Sequence, residues 1–317
     1  MTGYKGFHKG MICRGKQYQE NTVYEESGAD ACCESGVMHF CETPLDVLNY
    51  YPLLDDNCEF NEFAEVEPLE EVLKDGDKRA TKKLKIGAKL SIKDFIKAAV
   101  DIMIDITKPD KIKKGSGNLS DNGGDGAKIG SSGDGAQIGS SGDGAKIGSS
   151  GDGAQIGSSG YCAKIGSSGY YAQIGSSGYY AQIGSSGYCA QIGSSGDGAQ
   201  IGSSGDGAQI GSSGDGAQIG SSGDGAQIGS SGYYAQIGSS GNRAQINMTG
   251  TDSVGAAIGV KSIAKGALGN WIVLAEWVEQ GDHYIPACVK AGKIDGETLK
   301  PDTWYKLEGG EFVEFEL

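Results

Sequence analysis

A nine-residue unit recurs fourteen times without interruption from Asp125 to Gly250, typically as Asp-Gly-Ala-Gln-Ile-Gly-Ser-Ser-Gly. A short fixed period demands an array in which each unit repeats the conformation of the last and buries its apolar face against its neighbours. Ala and Ile stand two apart in every unit, as in Ala136 and Ile138, so they share one face of an extended segment while Gln137 faces the other way. The following Gly-Ser-Ser-Gly permits positive φ and has no bulky side chain, and is expected to form the corner. A flexible Gly/Ser linker is the rival, but a linker has no reason to keep Ala-x-Ile in every copy.

Nine residues are too few for a strand, a turn and a return path, so two units per coil is the natural minimum. Lys128, Lys146 and Lys164 replace the outward Gln in alternate units, eighteen residues apart, as a coil with two faces would have them. Duplication of an eighteen-residue segment would leave the same trace. The expected fold is mainly β: a two-sided β-solenoid, or β-roll, with about seven coils spanning roughly 34 Å at ~4.8 Å between strands. It would be flanked by a small α+β N-terminal module and a β C-terminal module. The implied division is residues 1–90 for the N-terminal module, 91–124 for a capping helix and linker, 125–250 for the solenoid, and 251–317 for a degenerate last coil and the C-terminal module.

In the N-terminal stretch, alternation around Tyr4 to Phe7, Thr22 to Tyr24, Val37 to Phe40 and Phe63 to Val66 predicts a small antiparallel sheet. Thr43 as N-cap and Pro44 at the first helical position predict a helix over Leu45 to Tyr51. The capping box of Ser91 and Asp94 opens a second helix from Ile92 to Ile106, with Phe95, Ile96, Ala99, Met103 and Ile106 in one stripe. This helix is expected near the open end of the solenoid, where a terminal strand needs covering. After the repeats, residues 251–269 read as a degenerate coil, followed by a strand from Trp271 to Trp277. A hairpin signal at Asp295-Gly296 and strands at Thr303 to Leu307 and Glu311 to Leu317 complete a small sheet.

The repeat array would display each of its residues as a ladder. Asp125, Asp134, Asp143, Asp152, Asp197, Asp206, Asp215 and Asp224 make an acidic ladder, interrupted by an aromatic band at Tyr161, Tyr170, Tyr171, Tyr179, Tyr180 and Tyr188, and again by Tyr233 and Tyr234. Stacked carboxylates repel and so favour a cationic partner, while Asp-Gly is also simply a good turn. Exposed tyrosines bring large amphipathic area to a protein interface, or pack across strands. The unit differs from the calcium-binding GGxGxDxUx nonapeptide: Asp falls one position early and Gln stands where the apolar residue belongs. Neither do Gln, Gly and Ser form the threonine rows of an ice-binding face. No metal or cofactor is expected.

A net charge of -14 argues against nucleic acid and for a basic protein partner. The opening MTGYKGFHKGMICRGK lacks the apolar stretch of a secretory signal, and no segment reads as a membrane span, so a cytoplasmic location is expected. Cys13, Cys32, Cys33, Cys41, Cys58, Cys162, Cys189 and Cys288 show no CxxC spacing and are expected as reduced thiols. His8, His39 and His283 belong to no nucleophile or metal motif, although His39 and Cys41 share one side of a strand.

Both flanks resemble an uncharacterised family found in phages and prophages of gut bacteria. The resemblance rests on GYKGF with the following Cys13, HFCETPLDVLNYYP at His39 to Pro52, FAEVEPL, GALGNWIVLAEW and KPDTWYKLEGGEFVE; the family's usual Gly-Phe-His-Phe-Cys is altered here at Val37 and Met38. It implies phage origin and no particular reaction. The His39 strand is also similar to the Gly-x-His strand of ADP-ribosyltransferases, without their acidic motif. The expectation is therefore a non-enzymatic accessory protein in the cytoplasm of a bacterial host. Its solenoid would bind a basic host protein, for instance to inhibit a defence system such as CRISPR-Cas. The alternative is a spacer or virion-associated rod. Exposed sheet edges would also allow a homo-oligomer.

Overall fold

The computed structural model describes residues 2–27, 36–53, 55, 60–106 and 124–316. Cys32, Cys33 and Cys58, and the Met103 and Ile106 side chains, lie outside the described residues. The chain divides between Ala99 and Val100 into two compact units.

The first unit is built on a seven-stranded antiparallel sheet. Nine strands are described: β1 (Gly3–Phe7), β2 (Ile12–Cys13), β3 (Lys16–Gln17), β4 (Val23–Glu25), β5 (Met38–Cys41), β6 (Glu62–Pro68), β7 (Leu73–Asp75), β8 (Lys78–Thr81) and β9 (Lys83–Leu90). The sheet order is β4-β9-β6-β1-β5-β8-β7, and β2 and β3 pair separately. The expected strands are present, but β7, β8 and β9 make the sheet larger than the sequence alternation alone suggests. Their signals are an Asp75-Gly76 turn, with Gly76 at φ 57°, and the alternation of Lys83-Leu84-Lys85-Ile86. Leu84 and Ile86 enter the core, while Lys83 and Lys85 reach Glu25 and Glu67 across the sheet. Phe7, Phe40, Val66, Leu84 and Ile86 share one apolar cluster.

The helix α1 (Pro44–Val47) starts as expected: Thr43 is its N-cap and its hydroxyl accepts from the Asp46 backbone N–H at 3.2 Å. It ends four residues earlier than the expected Tyr51. In α2 (Ile92–Ile106), the Ser91 hydroxyl accepts from the Asp94 N–H at 3.1 Å and donates to the Asp94 carboxylate at 2.6 Å. Phe95, Ile96 and Ala99 of the expected stripe are buried, and Phe95 stacks on Phe63 of β6 at 3.9 Å between ring centroids.

The second unit is the solenoid. Four-residue strands recur from Lys128–Ser131 to Ile263–Gly266, and alternate strands join two parallel sheets. Residues eighteen apart are in register, as in Lys128, Lys146 and Lys164 on one sheet and Gln137, Gln155 and Gln173 on the other. Residues 251–269 supply the eighth coil, through Val254–Ala257 and Ile263–Gly266. The interior is a stack of Ala and Ile rows joined by a third row, the first serine of each unit, as at Ser158, Ser176 and Ser194.

That serine row corrects the expected corner. Gly-Ser-Ser-Gly is half strand, and the tight turn lies at Asp-Gly, whose second residue takes positive φ, as in Gly135 at 64°. The last Gly of each unit has a different reason to be glycine. A Cβ on Gly205 would stand 1.9 Å from the Gly187 carbonyl oxygen one coil below, so coils can stack at this corner only without a side chain.

The C-terminal strands also differ in detail from the expectation. Instead of forming a sheet of their own, they extend the two solenoid sheets. Trp271–Gln280 adds in parallel to Val254–Ala257 and then pairs antiparallel with His283–Lys293, around a turn containing Gly281. Tyr305–Glu308 and Glu311–Glu314 close the other sheet. Asp295-Gly296 is not the hairpin: the Asp295 carboxylate accepts from the N–H groups of Glu297, Thr298 and Leu299 at 2.9, 2.7 and 3.2 Å, a side-chain-stabilised loop.

Candidate functional site

The two turns of each coil make two edges, and the acidic and aromatic residues alternate between them. One edge carries Asp125, Asp143, Tyr161, Tyr179, Asp197, Asp215 and Tyr233; the other carries Asp134, Asp152, Tyr170, Tyr188, Asp206 and Asp224. Each edge therefore runs acidic, aromatic, acidic, and the first ends on a further aromatic step at Tyr233. The single band read along the sequence is two patches at the same height of the solenoid. Tyr161 meets Tyr180 edge-on at 5.6 Å on the first edge, while Tyr188 meets Tyr170 and Tyr171 at 6.2 and 6.4 Å on the second. Tyr171 and Tyr179, close in sequence, lie on opposite edges.

All eight aspartates have a structural task. One oxygen accepts the backbone N–H of the residue eighteen positions later, as from Asp143 to Asp125 at 3.1 Å, Tyr161 to Asp143 at 2.8 Å and Asp224 to Asp206 at 2.8 Å. The remaining aspartates make the same bond. Among the described residues, no three His, Cys, Asp or Glu side chains converge to hold a metal ion.

The tyrosines stand in the opposite position: they weaken the turn that carries them. Tyr161, Tyr170, Tyr179 and Tyr188 replace the aspartate and have no carboxylate to offer the next coil. Their partners Cys162, Tyr171, Tyr180 and Cys189 replace the turn glycine, yet keep its left-handed backbone at φ 53–56°. A non-glycine residue held there is strained by about 1–3 kcal/mol, and a lost hydrogen bond removes about 1 kcal/mol more. Ring-to-ring contacts return only about 0.5–1.5 kcal/mol per pair. The rings are nevertheless exposed, from 47% at Tyr188 to 58% at Tyr171. The sequence pattern singles out these tyrosines but not their strain, whose signal is the Gly-to-Tyr or Gly-to-Cys exchange at the second repeat position.

The two sheet faces, nearly identical in sequence, differ in burial. On one, Gln173 and Gln191 are buried and Gln137, Gln155 and Gln173 form an amide ladder. On the other, Lys128, Lys146, Lys164, Gln182, Gln200 and Gln218 are exposed beside a row of glycines that forms a shallow trough.

The first unit contains a second concavity that the sequence pattern does not assemble. It is lined by Lys5 and Gly6 of β1, Cys13, Arg14, His39, Cys41, Tyr50, Tyr51 and Lys78, among others. Loss of hydration holds the His39 imidazole down at about 4, helped by the charges of Arg14, Lys5 and Lys78. Burial, with Asp46 and Asp77 nearby, pushes the Cys41 thiol up to about 12. Both shifts run against the charged forms that would activate the pair singled out from sequence as a nucleophile and its base.

No helix of the described residues is long and apolar enough to cross a membrane. No curated protein and no solved structure matches the chain. Residues 1–98, which contain this second concavity, are similar to a family model described as a domain of unknown function, DUF7666.

Proposed function

We propose that the chain is a non-enzymatic phage accessory protein that binds a basic host protein through the edges of its solenoid. The observation that carries this reading is the pair of exposed tyrosine patches, each placed where the repeat's own Asp-Gly would make a more stable turn. Tyrosine brings large contact area with little side-chain entropy to lose, and carboxylates above and below each patch favour a cationic surface. The phage origin comes from the resemblance of both flanks, and with it the partner belongs to the cytoplasm of a bacterial host. Occupation of a basic nucleic-acid channel, as in a CRISPR-Cas effector, is the use we assign to such binding.

The test replaces each patch by the repeat's own residues. One variant carries Y161D, C162G, Y179D and Y180G; the other carries Y170D, Y171G, Y188D and C189G. Because these restore the regular turn, the melting temperature should hold or rise, while capture of a basic protein from host lysate at low salt should fall at least tenfold for the patch used. Undiminished capture by both variants would remove the tyrosines from the reading. Co-purification with virions and no salt-sensitive partner would favour a structural rod.

A further inference from the structure

The concavity in the first unit has an unusual charge arrangement. Lys5 is 5% exposed, lies on a strand whose five residues are all buried, and forms no ion pair with any described residue. Its ammonium instead donates to the His39 carbonyl at 2.7 Å and lies 5.6 Å from the ring centroids of Phe7 and Tyr18. Arg14 and Lys78 line the same concavity, and neither pairs with a described carboxylate. Asp77, an acidic side chain beside Tyr50, is engaged by Tyr50 and Asn49. Among the described residues, no Asp or Glu lines the concavity, whereas Tyr50, Tyr51 and Phe40 do.

An ammonium taken out of water without a counter-charge is held at a cost, and an entering anion removes that cost. Three cations suit a dianion better than a monoanion, and guanidinium plus ammonium is a common pairing for phosphate oxygens. We propose that this concavity binds a small phosphate monoester with a planar ring, the phosphate held by Lys5, Arg14 and Lys78 and the ring against Tyr50 and Tyr51. The site lies in the part of the chain that matches the family of unknown function, and does not depend on the solenoid edges.

Titration of the full chain with phenyl phosphate, followed by calorimetry and by the tyrosine signals in NMR, tests it. Phenyl phosphate should bind in the micromolar to low millimolar range and more tightly than inorganic phosphate, since only the former uses the rings. Arg14→Gln and Lys78→Gln, at exposed and half-buried positions, should each weaken binding roughly tenfold. Lys5→Met, which keeps the volume but removes the charge, should abolish it. The tyrosine-patch variants should bind phenyl phosphate as the natural chain does. Absence of binding at millimolar phenyl phosphate, or equal affinity in the natural chain and an R14Q/K78Q double variant, would overturn the proposal. Equal affinity for inorganic phosphate would overturn the role of the rings.

Discussion

His39 shows how one side chain can carry the electrostatics of its surroundings into stability. Desolvation and the nearby Arg14, Lys5 and Lys78 hold it at about 4, against about 6.5 in an unfolded chain. Between these values the unfolded state binds the extra proton, so acid favours unfolding. The stability that His39 contributes is complete above about pH 6.5 and is lost as the pH falls toward 4. Chemical denaturation from pH 7 to pH 4 should therefore show a steeper loss in the natural chain than in His39→Gln. Parallel profiles would show that the imidazole titrates normally. Lys5 is subject to the same desolvation, which lowers its ammonium; Arg14 adds to the shift and Cys13 opposes it.

In the repeating strand and turn, three glycines of one unit do three different jobs. Gly198 takes the left-handed turn at φ 66°, Gly202 sits outward on the open sheet with no neighbour within 4 Å of where a methyl would stand, and Gly205 stacks against the Gly187 carbonyl. Gly205→Ala should destabilise the solenoid by about 1–3 kcal/mol or more, because backbone must move to admit the methyl. Gly202→Ala should be neutral or stabilise by about 0.5–1 kcal/mol, since strand glycine carries excess unfolded-state entropy. Thermal melts of the two variants check the pair, and similar shifts would contradict the stacking geometry. The serine row inside the coil makes the same point. Ser158, Ser176 and Ser194 are fully buried with no partner for their hydroxyls, so they act as small space-fillers beside Ile.

Across the whole solenoid, the two-unit coil makes eighteen residues the unit of insertion and deletion. Removing residues 197–214 should leave a folded protein with every later residue on its original edge and face. Removing residues 197–205 alone would move Tyr233 to the other edge and put each later strand on the wrong sheet. The closing strand Trp271–Gln280, which adds to Val254–Ala257, would then lose its place relative to the repeats. Circular dichroism and solubility should distinguish the two deletions; equal behaviour would count against a two-sided coil. The same parity separates the tyrosines into two patches, and so sets the number of partners they can engage at once.

Much of this architecture can be read from residues alone because it is local or periodic. Ala-x-Ile at a period of nine dictates strands with a thin apolar side, the lysines at a period of eighteen give the coil, and Thr43-Pro44 and Ser91 to Asp94 mark helix starts through bonds made within four residues. The tight turn escapes such a reading because Gly-Ser-Ser-Gly and Asp-Gly are both competent turn formers. What chooses between them is contact between coils, where the last glycine must face a carbonyl and the aspartate must reach the backbone of the next coil. The strain of Tyr171 and Tyr180 follows from that choice, as does the division of the aromatic band. The cation pocket is further still from the sequence: Lys5, Arg14, His39 and Lys78 come from separate strands and turns. Long-range pairing of β1, β5 and β8 places them together, so only the tertiary structure decided that Lys5, Arg14 and Lys78 line one concavity beside His39 without a described carboxylate among them.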